Sequence, residues 1–195
     1  MKNFAKIGLA LAMLLTTFGV SAGEYDFSLK VTNETGKTVS FSVVDAETVT
    51  FSIYNSKEEL IFNEKVSGSN AINRTYDLTA FPEGIYYLEA ETAAKVARYE
   101  ISVVKETASI SEKAVEETYK PVISKSGDTF IVTVPGKVNT PVNITLYDEN
   151  SGELYNQNLK DGKVAKKFNT SKIFSKEFTF VVSYNNKMFT ETISK

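Results

Sequence analysis

The sequence predicts an all-β fold: two tandem antiparallel Ig-like, fibronectin-like β-sandwiches of about seven strands each. The first observation is a repeat. VTFSIYN from Val49 is followed by KEELIFNEKVSGS and DLTAFPEGIYYLEAE, and VNITLYD from Val142 is followed by SGELYNQNLKDGK and NTSKIFSKEFTFVVS. A period of about 90 residues is too long for a solenoid unit and suits one small domain. The second is period-two alternation of apolar residues, bounded every ten residues or so by turn residues. The third is the abundance of Val, Ile, Thr, Phe and Tyr, the residues that fill a pleated and half-buried surface.

The elements follow in order. Phe27, Leu29 and Val31 alternate, and Asn33 to Gly36 turn the chain into Val39, Phe41 and Val43. Val49, Phe51 and Ile53 form the next strand, and a charged turn at Ser56 to Glu59 leads into Leu60 to Val66. Ser67 and Gly68 turn again before Ile72 to Leu78; Pro82, Glu83 and Gly84 hand over to Ile85 to Ala90, then Val96 to Val104. The second copy gives strands at Pro121 to Lys125, Thr129 to Val134, Val142 to Tyr147, Glu153 to Leu159, Val164 to Asn169, Glu177 to Tyr184 and Lys187 to Ser194. Gly36 to Val43 align with Gly127 to Val134, so both copies begin with the same hairpin, and Ile101 aligns with Ile193 near the end of each.

The expected domains are a signal peptide at 1–22, a first sandwich at 23–105, a linker at 106–117 and a second sandwich at 118–195. Met1 to Ala22 places Lys2 and Lys6 before an apolar run that ends in Val20, Ser21 and Ala22, small residues suited to signal peptidase. The run falls short of the roughly 20 residues a membrane span needs, so the mature chain is expected to be exported rather than membrane-spanning. The linker segment, ETASISEKAVEET, is polar and charged; Ser109 and Glu112 stand in capping-box register for a single helical turn, but a flexible connection is the simpler expectation.

Composition narrows the chemistry. Loss of Lys2 and Lys6 takes the formal net charge from −2 to −4, and no basic run stands out, which argues against nucleic acid as a partner. The chain has no Cys, so no disulfide supports either domain and each relies on its apolar core. With no His either, Ser-His-Asp and Cys-His catalysis and His or Cys zinc sites are excluded. N-x-S/T triplets at Asn33, Asn73, Asn143 and Asn169 would be glycan acceptors in a eukaryotic secreted protein, although strand turns rich in Asn and Thr produce them by chance. The run Asp148 to Glu153 gathers oxygen ligands around Gly152, but it is too short for an EF-hand and sits where a hairpin is expected.

Tyr147, Asp148 and Gly152 match one motif, and Asp77, Leu78, Pro82, Gly84, Ile85 and Tyr86 match a second. Together they resemble the C-terminal sorting domains of Bacteroidetes type IX (Por) secretion cargo, which are small Ig-like β-sandwiches. The resemblance implies a bacterial exported protein. The C-terminal copy has Lys176, Glu177 and Phe178 where the family has Gly, Ile and Tyr, so the better match lies in the internal copy. Physically, Pro82 and Gly84 preset a turn, and Tyr86 is expected to put its ring in the sandwich with its hydroxyl at the edge, as in a tyrosine corner. Of the adjacent Tyr86 and Tyr87, alternation sends one outward; Tyr54 and Tyr147 are the other candidates for exposed recognition aromatics.

The function expected from these readings is a secreted or periplasmic, non-enzymatic structural or binding protein of a bacterial envelope, cleaved near Ala22, with an unidentified protein or glycan partner. No catalytic, cofactor-binding or metal-binding residue is assigned, and no cofactor. Two alternatives stay open: a type IX cargo with a C-terminal sorting domain, and a sandwich-fold carbohydrate-active protein working through paired carboxylates.

Overall fold

The computed structural model describes residues 27–69, 71–160 and 162–195; the signal peptide expected at Met1 to Ala22 lies outside them. In the first sandwich, β1 (Ser28–Thr35), β2 (Thr38–Val44) and β5 (Ala71–Asp77) form one antiparallel sheet in the order β1-β2-β5. Facing it is a sheet whose path runs through β4 (Leu60–Ser67), β3 (Thr48–Asn55), β6 (Gly84–Glu91) and β7 (Lys95–Val104). The alternation read from sequence is the alternation of burial: Val39, Phe41 and Val43 on β2 and Val49, Phe51 and Ile53 on β3 all point into one core. There the Phe41 ring meets those of Phe51 and Tyr76 edge-on, each at 5.4 Å, the geometry aromatic quadrupoles favour.

The second sandwich repeats the plan. β10 (Val122–Ser126), β11 (Thr129–Val138) and β14 (Gly162–Asn169) make its small sheet, in the order β10-β11-β14. Its other sheet has the order β13-β12-β15-β16, from β12 (Val142–Asp148), β13 (Glu153–Leu159), β15 (Glu177–Tyr184) and β16 (Lys187–Ser194). The core holds Phe130, Val132 and Val134 from β11 against Phe178, Phe180 and Val182 from β15, and it shares no residue with the first. The correspondence extends to single contacts: Phe62 meets Tyr76 edge-on at 5.4 Å, and Tyr155 and Phe168, at the equivalent cross-strand positions, do the same at 5.0 Å.

The segment 106–117 differs from the flexible linker expected. It carries β8 (Thr107–Ile110) and the first half of β9 (Glu116–Tyr119), both antiparallel to β7, which they flank end to end along one edge. No helical turn forms at Ser109 to Glu112, because the backbone groups are taken up by the sheet: Ser111 N donates to Glu100 O at 2.8 Å and Val115 N to Arg98 O at 2.7 Å. β8 also ties the two sheets together, as Ala108 N donates to Gly36 O and Ile110 N to the Glu34 carboxylate, both at 2.8 Å. Ala108 and Ile110 turn inward and are buried.

The turn before β6 behaves as its residues predict. Tyr86 is buried, and its hydroxyl donates to Pro82 O at 2.9 Å, closing a tyrosine corner. Gly84 has φ of 155°, a conformation side-chain-bearing residues rarely adopt, while the nearest atom to an added Cβ is 4.0 Å away. Gly84→Ala therefore meets no clash but strains the backbone, and urea denaturation should show a loss of about 1–2 kcal/mol. The equivalent Lys176 does not have positive φ, and Phe178 replaces the corner tyrosine, so the second copy turns this corner without either device.

Candidate functional site

The candidate recognition tyrosines do not share one fate. Tyr86 is consumed by its corner, whereas Tyr54 on β3 and Tyr87 on β6 lie half-buried on the outer face of the large sheet. Arg98 of β7 reaches over this pair, with its guanidinium 4.0 Å from the Tyr87 ring centre and 6.0 Å from that of Tyr54. A planar cation over an aromatic face is stabilised by the ring quadrupole, and here it covers the surface a sugar would stack on. Tyr147 is half-buried on the second sandwich.

Arg98 is also held from its polar side. Its two terminal nitrogens donate to the two Glu58 carboxylate oxygens at 2.6 and 2.8 Å, a bidentate fork. Glu58 reaches it from the tip of the β3–β4 hairpin with φ of 64°. The turn is fixed by Asn55 Oδ1, which accepts from Lys57 N at 2.9 Å and Glu59 N at 3.0 Å. The second copy builds the same loop on Asp148, whose Oδ1 accepts from Asn150 N at 2.9 Å and Gly152 N at 2.7 Å, with Ser151 at φ 62°. The calcium-like run is thus a hairpin whose carboxylate binds its own backbone. Among the described residues no three Asp or Glu converge closely enough to hold a metal ion.

The hydrogen bond from Arg98 holds the Glu58 carboxyl below its ordinary value of 4.5. A depressed folded-state value means the interaction stabilises the fold above pH 4.5 and is lost as pH falls through that lower value. Glu58 is exposed, so water screens the pair; Glu58→Gln should cost no more than about 1 kcal/mol at pH 7. The gap between variant and parent should close on acidification, as read from urea midpoints at pH 7 and pH 3.

Arg98 belongs to a chain of charges that crosses between the sandwiches. Glu89 on β6 lies 3.4 Å from Arg98 and 2.7 Å from Lys187 Nζ, at the start of β16. Beside this pair Asn185 Nδ2 donates to Thr118 Oγ1 at 3.3 Å, and the buried Tyr184 hydroxyl donates to Tyr119 O. Burial holds the Tyr184 phenol well above its ordinary value, so it is a donor across the physiological range. Nearby, the buried Lys95 sends its ammonium to Glu117 at 2.8 Å, above the Phe27 ring at 4.7 Å and the Tyr119 ring at 5.6 Å. None of this junction was marked by a motif, because its partners are up to 98 residues apart. The one local signal is Lys95 itself, which takes the inward position of a strand whose next inward residues are Ala97, Tyr99 and Ile101.

Fold and site define a tandem Ig-like β-sandwich protein with a charged, hydrogen-bonded junction. Residues 31–106 match the family model described as the secretion system C-terminal sorting domain. The resemblance read at Asp77 to Tyr86 is therefore found, and it falls on the internal copy. A comparison with curated proteins gives no match. Among solved structures, the chain is similar to the BSP domain of a biofilm associated protein at 16% identity and a TM-score of 0.31, over 85% of this chain. It spans only 29% of the length of that structure. It is also similar to a segment of two fibronectin type III domains from chicken tenascin, at 11% identity and a TM-score of 0.29, over 87% of this chain and all of the other. No helix among the described residues is long and apolar enough to cross a membrane.

Proposed function

We propose that this is a secreted, non-enzymatic structural or binding protein of a bacterial envelope, assembled from duplicated Ig-like modules. The observation that carries this reading is the nature of the duplication: equivalent positions are core residues, hairpin turns and aromatic pairs, so what was copied is a scaffold. Of the half-buried tyrosines that could have formed a sugar platform, Tyr87 and Tyr54 lie under the Arg98 guanidinium. Fractionation of a type IX-competent bacterium expressing the full chain tests the location. Recovery at the surface or in the medium fits the reading, and recovery in the cytoplasm alone refutes it.

The sorting-domain match, which falls on residues 31–106, favours a second reading as a type IX cargo, in which the C-terminal copy of the same fold would carry the sorting role. Deleting residues 120–195 leaves β9 in place on β7 and removes only the second sandwich. Retention of the truncated chain in the periplasm would support the cargo reading. Unchanged export would leave the C-terminal module a structural or binding role.

A further inference from the structure

The two sandwiches differ at one edge. In the first, β7 is flanked on its outer side by β8 and β9; in the second, the equivalent β16 is the last strand of its sheet, with β15 as its partner. Cross-strand partners fix the equivalence: Tyr86, Leu88 and Ala90 face Ile101, Tyr99 and Ala97, while Phe178, Phe180 and Val182 face Ile193, Glu191 and Phe189. The three β7 residues are buried. On β16, Ile193 and Phe189 are half-exposed and Glu191 is exposed. Beside them lies a groove of about 310 Å³, lined by Phe189 and Glu191 on β16 and by Glu91, Ala93 and Lys120 at the junction with the first sandwich, and reaching the core residue Phe180.

We propose that the β16 edge is a docking site for an extended strand supplied by another protein, added antiparallel as 107–119 is added to β7. The first sandwich shows what such an occupant looks like: Ala108 and Ile110 alternate inward over the core, and backbone groups join both sheets. An edge strand with unpaired backbone groups is a template for strand addition, with main-chain bonds giving affinity and pockets for alternate side chains giving selectivity. One substitution changes how this edge is closed. Glu34, which accepts from Ile110 N, is replaced at the equivalent position by Lys125, whose ammonium lies 2.9 Å from Ser194 O. By equivalence with Ala108 and Ile110, the occupant is a strand with small apolar residues at alternate positions, as 106–119 has.

The test is hydrogen–deuterium exchange of the full chain with a synthetic peptide of residues 106–119. Binding should slow exchange across Lys187–Ser194 on the order of 10-fold, with β4 unchanged. The same peptide carrying Ala108→Lys and Ile110→Lys should have no effect, and because both peptides meet the unaltered chain, folding of a variant does not enter. No protection at millimolar peptide, or protection centred on β4, would overturn the proposal. So would a concentration-dependent dimer with β16 already protected, since a second copy would then be the occupant. The peptide experiment reads the edge directly and fractionation reads the location, so failure of one is distinguishable from failure of the other.

Discussion

Phe41→Ala should destabilise the first sandwich by about 3–5 kcal/mol and leave the second folded, and Phe130→Ala should do the reverse. Both rings are fully buried, and each stands at the centre of its own aromatic cluster: Phe41 against Phe51 and Tyr76, Phe130 against Phe178 and Phe180. Truncation removes the transfer energy of the ring and leaves a cavity that close-packed neighbours fill only in part. Because the cores share no residue, exchange protection should collapse in one half of the chain only. Loss of protection in both halves to the same degree would show that the junction makes them one cooperative unit.

The second large effect concerns Lys95. Glu117→Gln should cost about 1–2 kcal/mol, because it removes a charged partner from an ammonium that is only 2% exposed. Lys95→Met should cost under about 1 kcal/mol, since the flexible thioether fills the stem's volume between Phe27 and Tyr119 with no charge to desolvate. Glu117 is 42% exposed, which keeps its loss below that of a wholly buried pair. Thermal denaturation of both variants checks the order. If Lys95→Met proves the more harmful, the cation's ring contacts, and not its desolvation, dominate the site.

The strands of both sandwiches were legible because burial on one face leaves a period-two trace, as at Val39, Phe41 and Val43, and no other local structure produces it. The corner at Tyr86 was legible because proline and glycine state their backbone demands locally. β8 and β9 were hidden for the opposite reason. β8 has only Ala108 and Ile110 to show an inward face, and β9 exposes two glutamates and buries only Thr118, so polarity there reads as solvent. The Glu58, Arg98, Glu89 and Lys187 chain was hidden because sequence pattern reports neighbours along the chain, and these meet only after two hairpins and a whole second domain have formed.

Because 107–119 completes the first sandwich, only Lys120 and Pro121 remain between β9 and β10. Three Cα steps span roughly 11 Å at full extension, so neither module can drift away from the other even if every contact at the junction opens. Such a short tether keeps the Lys187 ammonium at a high effective concentration near Glu89, and contacts that would be weak between free domains re-form after each opening. A ligand held by one module and a surface held by the other would thus be kept at a nearly fixed separation.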